Sequence, residues 1–240
     1  MAVAFDTSLS LGATLGTSVS ASITVGTGSD RAGVAGPGWA SSGVSVSTIT
    51  RGAAGFTVLA SSKATNASGF GGIGGCAELW HLVNPASGSA TDTCTWDGSV
   101  EGGCGVAYFT GVDQTTPLTV GTPATGNSTT PASTASGGGA GDFAVGCMAA
   151  ETFGGVGDLS TSDTQAWENF NDSFNGTVNG GAYATSVQAI NWTLTGTSQW
   201  AATSARVNQV AAGSASAAAA LLILNPNLRG SLGGLRTSIQ

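Results

Sequence analysis

Ala13, Leu15, Val19, Ala21, Ile23 and Val25 alternate with Gly, Ser or Thr along residues 13–25. A period of two over this length predicts a half-buried strand. The same alternation returns in 44–49, and a Gly-interrupted strand carrying Trp39 is predicted over 31–40. A short strand follows at 56–60. Residues 76–83 are apolar on both faces and read as a central strand. Residues 91–96 and 104–110 are predicted strands flanking Asp97 to Gly103, which reads as a hairpin or a sheet-to-sheet connection. Residues 122–141 are low in complexity and rich in Thr, Ser, Pro and Gly. They read as a strand and turns inside one domain rather than as a linker. A core strand resumes at 142–149, and 187–194, 200–210 and 215–224 supply closing strands.

Between them, residues 151–182 set Trp167, Phe170 and Phe174 among Asn, Asp and Gly without a clear period. This stretch reads as a surface excursion bearing aromatics, with Trp167 as the candidate exposed ring. The whole pattern predicts an all-β chain of ten to twelve strands. The expected architecture is an antiparallel jelly-roll-type β-sandwich over residues 1–225, with an extended C-terminal arm over 226–240.

Composition narrows the function. Charged residues make up 8% of the chain, against about 25% in typical soluble domains. Small polar residues and 39 glycines take their place. The net charge of −7 opposes nucleic acid and anionic membrane surfaces as partners, since nucleic-acid binding needs a basic footprint. No basic segment followed by an apolar run opens the chain. The most apolar stretch, 217–224, is far shorter than the roughly 20 residues of a membrane helix. Synthesis in a cytoplasm without export is expected.

Catalytic chemistry finds little to use. His81 is the one histidine, and no Gly-x-Ser-x-Gly turn accompanies it. Cys76, Cys94, Cys104 and Cys147 have no zinc spacing. Cys94 and Cys104 lie symmetrically about Ser99 and would face each other in a regular hairpin. Gly69 to Gly74 fits Gly-x-Gly-x-x-Gly, but a strand follows it where a helix is required. Glu78 sits in an apolar run and calls for a partner such as Arg31, Arg51 or Arg206. Asp158, Asp163 and Asp172 are oxygen ligands without a calcium-loop spacing. No catalytic residue, cofactor or metal site is assigned.

The run Glu78-Leu-Trp-His-Leu-Val-Asn-Pro-Ala-Ser-Gly, with Val106-Ala-Tyr-Phe-Thr-Gly-Val-Asp-Gln-Thr-Thr-Pro after it, resembles a family of β-sandwich proteins encoded by tailed phages and found in environmental sequences. The likeness covers roughly residues 76–120 and extends weakly to Ala4-Phe-Asp-Thr-Ser. His81 departs from the family's aromatic, and Cys94 and Trp96 depart from a strand usually rich in Val and Thr. The resemblance implies a non-enzymatic virion protein, made in the host cytoplasm. A capsid decoration (cement) or minor head protein is the leading reading, with the major capsid protein and further copies of itself as partners. Poor self-repulsion of a low-charge surface suggests a homotrimer. The alternative is a carbohydrate-binding adhesin module of a tail or fibre.

The C-terminal segment adds a candidate contact surface. Leu228, Leu232, Leu235 and Ile239 recur every three or four residues, with Arg229 and Arg236 between them and no acid. These six residues are the expected capsid or subunit contacts of a docking arm.

Overall fold

The structure, a computed structural model, describes residues 1–41, 43–67, 75–151, 159–170 and 177–211. Strands dominate it. In chain order they are β1 (Ala4–Val25), β2 (Ala32–Ala40), β3 (Val46–Arg51), β4 (Ala54–Gly55), β5 (Thr57–Val58), β6 (Ala64–Asn66), β7 (Gly75–Ala77), β8 (Trp80–Val83) and β9 (Gly88–Thr110). The second half holds β10 (Leu118–Val120), β11 (Ala124–Ser128), β12 (Ala132–Thr134), β13 (Phe143–Glu151), β14 (Leu159–Thr161), β15 (Thr164–Phe170), β16 (Thr177–Ala184), β17 (Ala189–Leu194) and β18 (Ser198–Val207). Every named pairing is antiparallel, and the described residues contain no helix.

The first sheet is organised on β9. One edge of β9 pairs with β1 from Ala4↔Thr110 to Val25↔Gly88, with Trp96 to Ser99 left out of the ladder at the Gly16/Ser18 shift. Its other edge takes β2 opposite Glu101–Phe109 and β3 opposite Asp92–Trp96. Asp97 to Gly103 is therefore strand, neither the hairpin nor the sheet-to-sheet connection expected. Register shifts at Phe5/Thr7, Ser10/Gly12 and Gly16/Ser18 bend the β1–β9 ribbon, because each extra residue adds local twist. The ribbon curls so far that the two ends of β1 meet: the Gly26 N–H donates to Asp6 Oδ2 at 2.8 Å. The result is a half-barrel with its own core, where Leu11, Val19, Ile23, Trp39, Ile49, Trp96, Val106 and Tyr108 pack together.

The second sheet runs β10-β18-β13-β16-β15, with β11 also on β18. A third, small sheet runs β12-β17-β14. Period-two alternation explains the stacking. On β9, Cys104, Val106 and Tyr108 face the half-barrel interior, while Ala107 and Phe109 face the second sheet. On β13, Val145 and Cys147 face the first sheet, while Ala144, Met148 and Ala150 face the third. Strands covered on both faces have no polar side to show, which is why β13 reads Phe-Ala-Val-Gly-Cys-Met-Ala-Ala-Glu and is buried at all nine positions.

The chain is all-β, with antiparallel sheets packed face to face, as its alternation predicts. Among the described residues the strands form three sheets, of nine, six and three strands. Eighteen strands appear among the described residues against ten to twelve expected for the chain, because short segments such as β4, β5 and β7 pair separately. The low-complexity stretch contributes β11 to the second sheet and β12 to the third. Residues 159–170 and 177–184 are β14, β15 and β16, not a surface excursion. The predicted strand at 215–224 lies outside the described residues.

Candidate functional site

Trp167, expected to be exposed, is 3% exposed. It projects from β15 at a register shift between Gln165 and Trp167, and a bulge of this kind re-aims a side chain. The indole enters the core between the first two sheets, in a slot floored by glycines from three strands. A Cβ on Gly36, Gly105 or Gly181 would come within 2.5, 2.0 and 2.1 Å of its ring atoms. The slot exists only because those three positions lack side chains. They lie far apart in sequence, so nothing local to Trp167 signals burial.

His81 sits on β8 opposite Val34 and Thr57. Its Nδ1 is buried without a hydrogen-bond partner among the described residues. Burial pulls the imidazole below its ordinary value of 6.5. Glu78 accepts a hydrogen bond from Trp80 Nε1 at 3.1 Å. Burial raises its carboxyl, while that bond and the charge of Lys63 oppose the rise. The arginines expected to partner Glu78 are engaged elsewhere. Arg31 donates to the carbonyls of Pro85 and Gly28, Arg51 to Asp92, and Arg206 to Asn208 and Thr119.

All four cysteines are free and buried. Cys94 and Cys104 do approach, but across the curl of one strand rather than across a hairpin. Burial first, then the Cys94 thiol, pushes Cys104 well up. Burial does the same to Cys147, whose thiol donates to the Glu78 carbonyl.

One charged cluster escaped the sequence analysis. Arg51 on β3 and Asp92 on β9 form an ion pair at 3.1 Å, with side chains 2% and 0% exposed. Tyr108 donates to Asp92 Oδ2 at 2.5 Å, and Arg51 Nη2 donates to the Gly88 carbonyl at 2.6 Å. Burial, then the Asp92 charge, raises the Tyr108 hydroxyl far above its usual range. The cluster bolts β3, β9 and the β8–β9 turn together inside the half-barrel. Among the described residues no set of three metal-binding side chains converges. Asp163 instead accepts hydrogen bonds from Gln188 and the Asn191 amide. Asp158, Asp172 and Gly69 to Gly74 lie outside the described residues.

Shallow clefts open on the surface of the described residues. One of about 420 Å³ has Asp113, Asp142, Arg206 and Asn208 in its lining. Another, of about 280 Å³, is lined by Asp163, Tyr183, Ser186 and Gln188 among others. The outer face of the first sheet is a field of hydroxyls. Ser18, Ser20 and Ser22 on β1 stand opposite Thr95, Thr93 and Thr91 on β9. Thr48 and Thr50 on β3 stand on the far side of Thr95 and Thr93. No charged residue lies between Thr7 and Ser29.

Leu228, Arg229, Leu232, Leu235, Arg236 and Ile239 lie outside the described residues. Comparison of the chain with family models, curated proteins and solved structures finds no match.

Proposed function

We propose that this chain is a non-enzymatic phage virion protein, a capsid decoration or minor head protein that binds the major capsid protein. The supporting observation is where the two family-like runs sit. Val34 of β2 pairs with His81 on one side and Ala107 on the other. The runs are thus neighbours across a single central strand. The second run ends in a defined turn. Asp113 Oδ1 accepts the Thr115 and Thr116 amides at 2.8 and 2.9 Å, an arrangement suited to Asp. Gly111 adopts φ +69°, and a Cβ there would lie 2.3 Å from the Ala2 carbonyl oxygen. The Gly-Val-Asp-Gln-Thr-Thr-Pro residues therefore have structural roles that a shared fold would require.

The charge-poor surface supports assembly with other subunits, and a homotrimer would fit threefold positions of a capsid lattice. The adhesin reading needs an exposed aromatic platform, and the burial of Trp167 removes its leading candidate. Quantitative mass spectrometry of purified virions tests the proposal. Hundreds of copies per particle are expected for a decoration protein of the head. A few copies per particle would favour a tail or fibre, and absence from virions would overturn the reading.

A further inference from the structure

β1 has a long outer edge that no other described strand pairs. Among the described residues β1 pairs with β9 alone. Near its start β15 lies against it: Ser8 Oγ donates to the Ala166 carbonyl at 2.7 Å, and Ser10 hydrogen-bonds Asn169. Among the described residues no strand pairs with the outer edge of Ser18–Val25. Exposed strand edges are normally guarded by charge, proline, bulges or shortness. All three register shifts of β1 precede this stretch, and the stretch contains no charge and no proline. Its nearest charged residues in sequence are Asp6 and Asp30; in space Asp6 meets Gly26 just past its end, and Arg51 reaches the Ile23 carbonyl.

The sequence of the stretch is nearly its own mirror image. Ser18-Val-Ser-Ala-Ser-Ile-Thr24 is symmetric in kind about Ala21. An antiparallel pairing of two copies centred there would set Ala21 beside its own equivalent. Ser20 would oppose Ser22, Val19 would oppose Ile23, and Ser18 would oppose Thr24. The alternation places Ser18, Ser20, Ser22 and Thr24 on the exposed face and Val19 and Ile23 in the core. Hydroxyl thus meets hydroxyl outside, and β-branched side chain meets β-branched side chain inside. A one-residue slip would destroy both matches.

We propose that a second copy of this chain occupies this edge, joining β1 to β1 across a twofold axis at Ala21. The contact is isologous, so it closes on itself and leaves no edge to extend into a fibre. It rests on the edge alone and not on the virion reading. A trimer held through another face would double to a hexamer by this route.

Sedimentation velocity of the full chain tests it, with far-UV circular dichroism as the check on folding. The wild type is expected at an even number of copies, and the variant Ser20→Lys/Ser22→Lys at half that mass, since like charges would stand directly opposite. Mixing it with Ser20→Glu/Ser22→Glu should restore the wild-type mass, because position 20 of one copy opposes position 22 of the other. If the lysine variant does not fold, Ser18→Lys/Thr24→Lys and its glutamate counterpart supply the same test at the ends of the stretch. Thr134→Lys, an exposed site on β12, should change nothing. A monomeric or odd-numbered wild type, a mass unmoved by the lysines, or no restoration on mixing would overturn the proposal. Binding to undecorated heads, assayed separately, bears on the virion reading and not on this contact.

Discussion

Gly105 and Trp167 occupy one space: a Cβ on Gly105 would lie 2.0 Å from Cγ of the indole. The ring has little room to retreat, because Gly36 and Gly181 border it as closely. Gly105→Ala is therefore expected to cost about 3 kcal/mol, the upper end of the usual overpacking range. Trp167→Ala should cost about 3–5 kcal/mol through the cavity it leaves. The two effects should not add, since a smaller residue at 167 makes room for the methyl. Urea midpoints of the two single variants and the double variant check this, and strict additivity would contradict the shared slot.

The Arg51–Asp92 pair should behave as a buried unit. Removing either partner leaves a charge in the core with nothing to balance it, at a cost of about 3–5 kcal/mol. Arg51→Met and Asp92→Leu should each show that loss in denaturant unfolding. The double variant should lose less than either single one, because no orphan charge remains. Tyr108→Phe should be milder, since Asp92 keeps its bond to Arg51.

The residues themselves show why some of this was legible in the sequence and some was not. Alternation reports which face of a strand is buried, so 13–25, 44–49 and 142–149 were readable as strands. It does not report how far a strand continues through glycine. Gly98, Gly102 and Gly103 look like turn residues, yet they lie inside β9, where a Cβ on Gly102 or Gly103 would strike Trp39 or Asn169. They mark close packing, not a reversal. The curl that brings Cys94 to Cys104 depends on bulges, which have no single-residue signature, and Arg51 meets Asp92 as a cross-strand neighbour on β3 and β9, a pairing between segments far apart in sequence. Trp167 looked exposed because its sequence neighbours are polar, while the glycines that accept it come from β2, β9 and β16.

The thiols offer a direct probe of the closed half-barrel. All four cysteines are buried, and burial raises Cys76, Cys104 and Cys147, which disfavours the reactive thiolate. The native protein is expected to resist a water-soluble disulfide reagent, with all four thiols reacting on unfolding. Fast labelling of any cysteine in the native state would show that the layers open.

His81 gives a pH dependence of known sign. Its folded value is lowered from 6.5 by burial, so the unfolded chain binds the proton more readily. Its contribution to stability is full above about pH 6.5 and is lost as pH falls through the folded value. Glu78, Asp92 and Glu101 have raised values. Each favours folding most below its ordinary value and loses that contribution as pH rises through the folded one, opposing His81 where the ranges overlap. Comparison with His81→Tyr isolates the histidine. The wild type should lose stability relative to the variant as pH is lowered from 7.5 through 6. Parallel pH profiles would mean that the imidazole is solvated in the native state.

Residues 227–240 hold Leu228, Leu232, Leu235 and Ile239 with Arg229 and Arg236 and no acid, although the chain as a whole carries −7. Aliphatic anchors with guanidinium groups suit a partner surface that is apolar and carries carboxylates. A tethered segment also adds affinity, because the rest of the chain holds it at high effective concentration near the surface already engaged. On the proposed virion reading, deletion of 227–240 should weaken binding to undecorated heads at least tenfold. Arg229→Ala/Arg236→Ala should weaken it less and should reduce its salt sensitivity, since only the screened, charged part of the contact is removed. Binding that is unchanged by the deletion would assign attachment to the sheets and not to this segment.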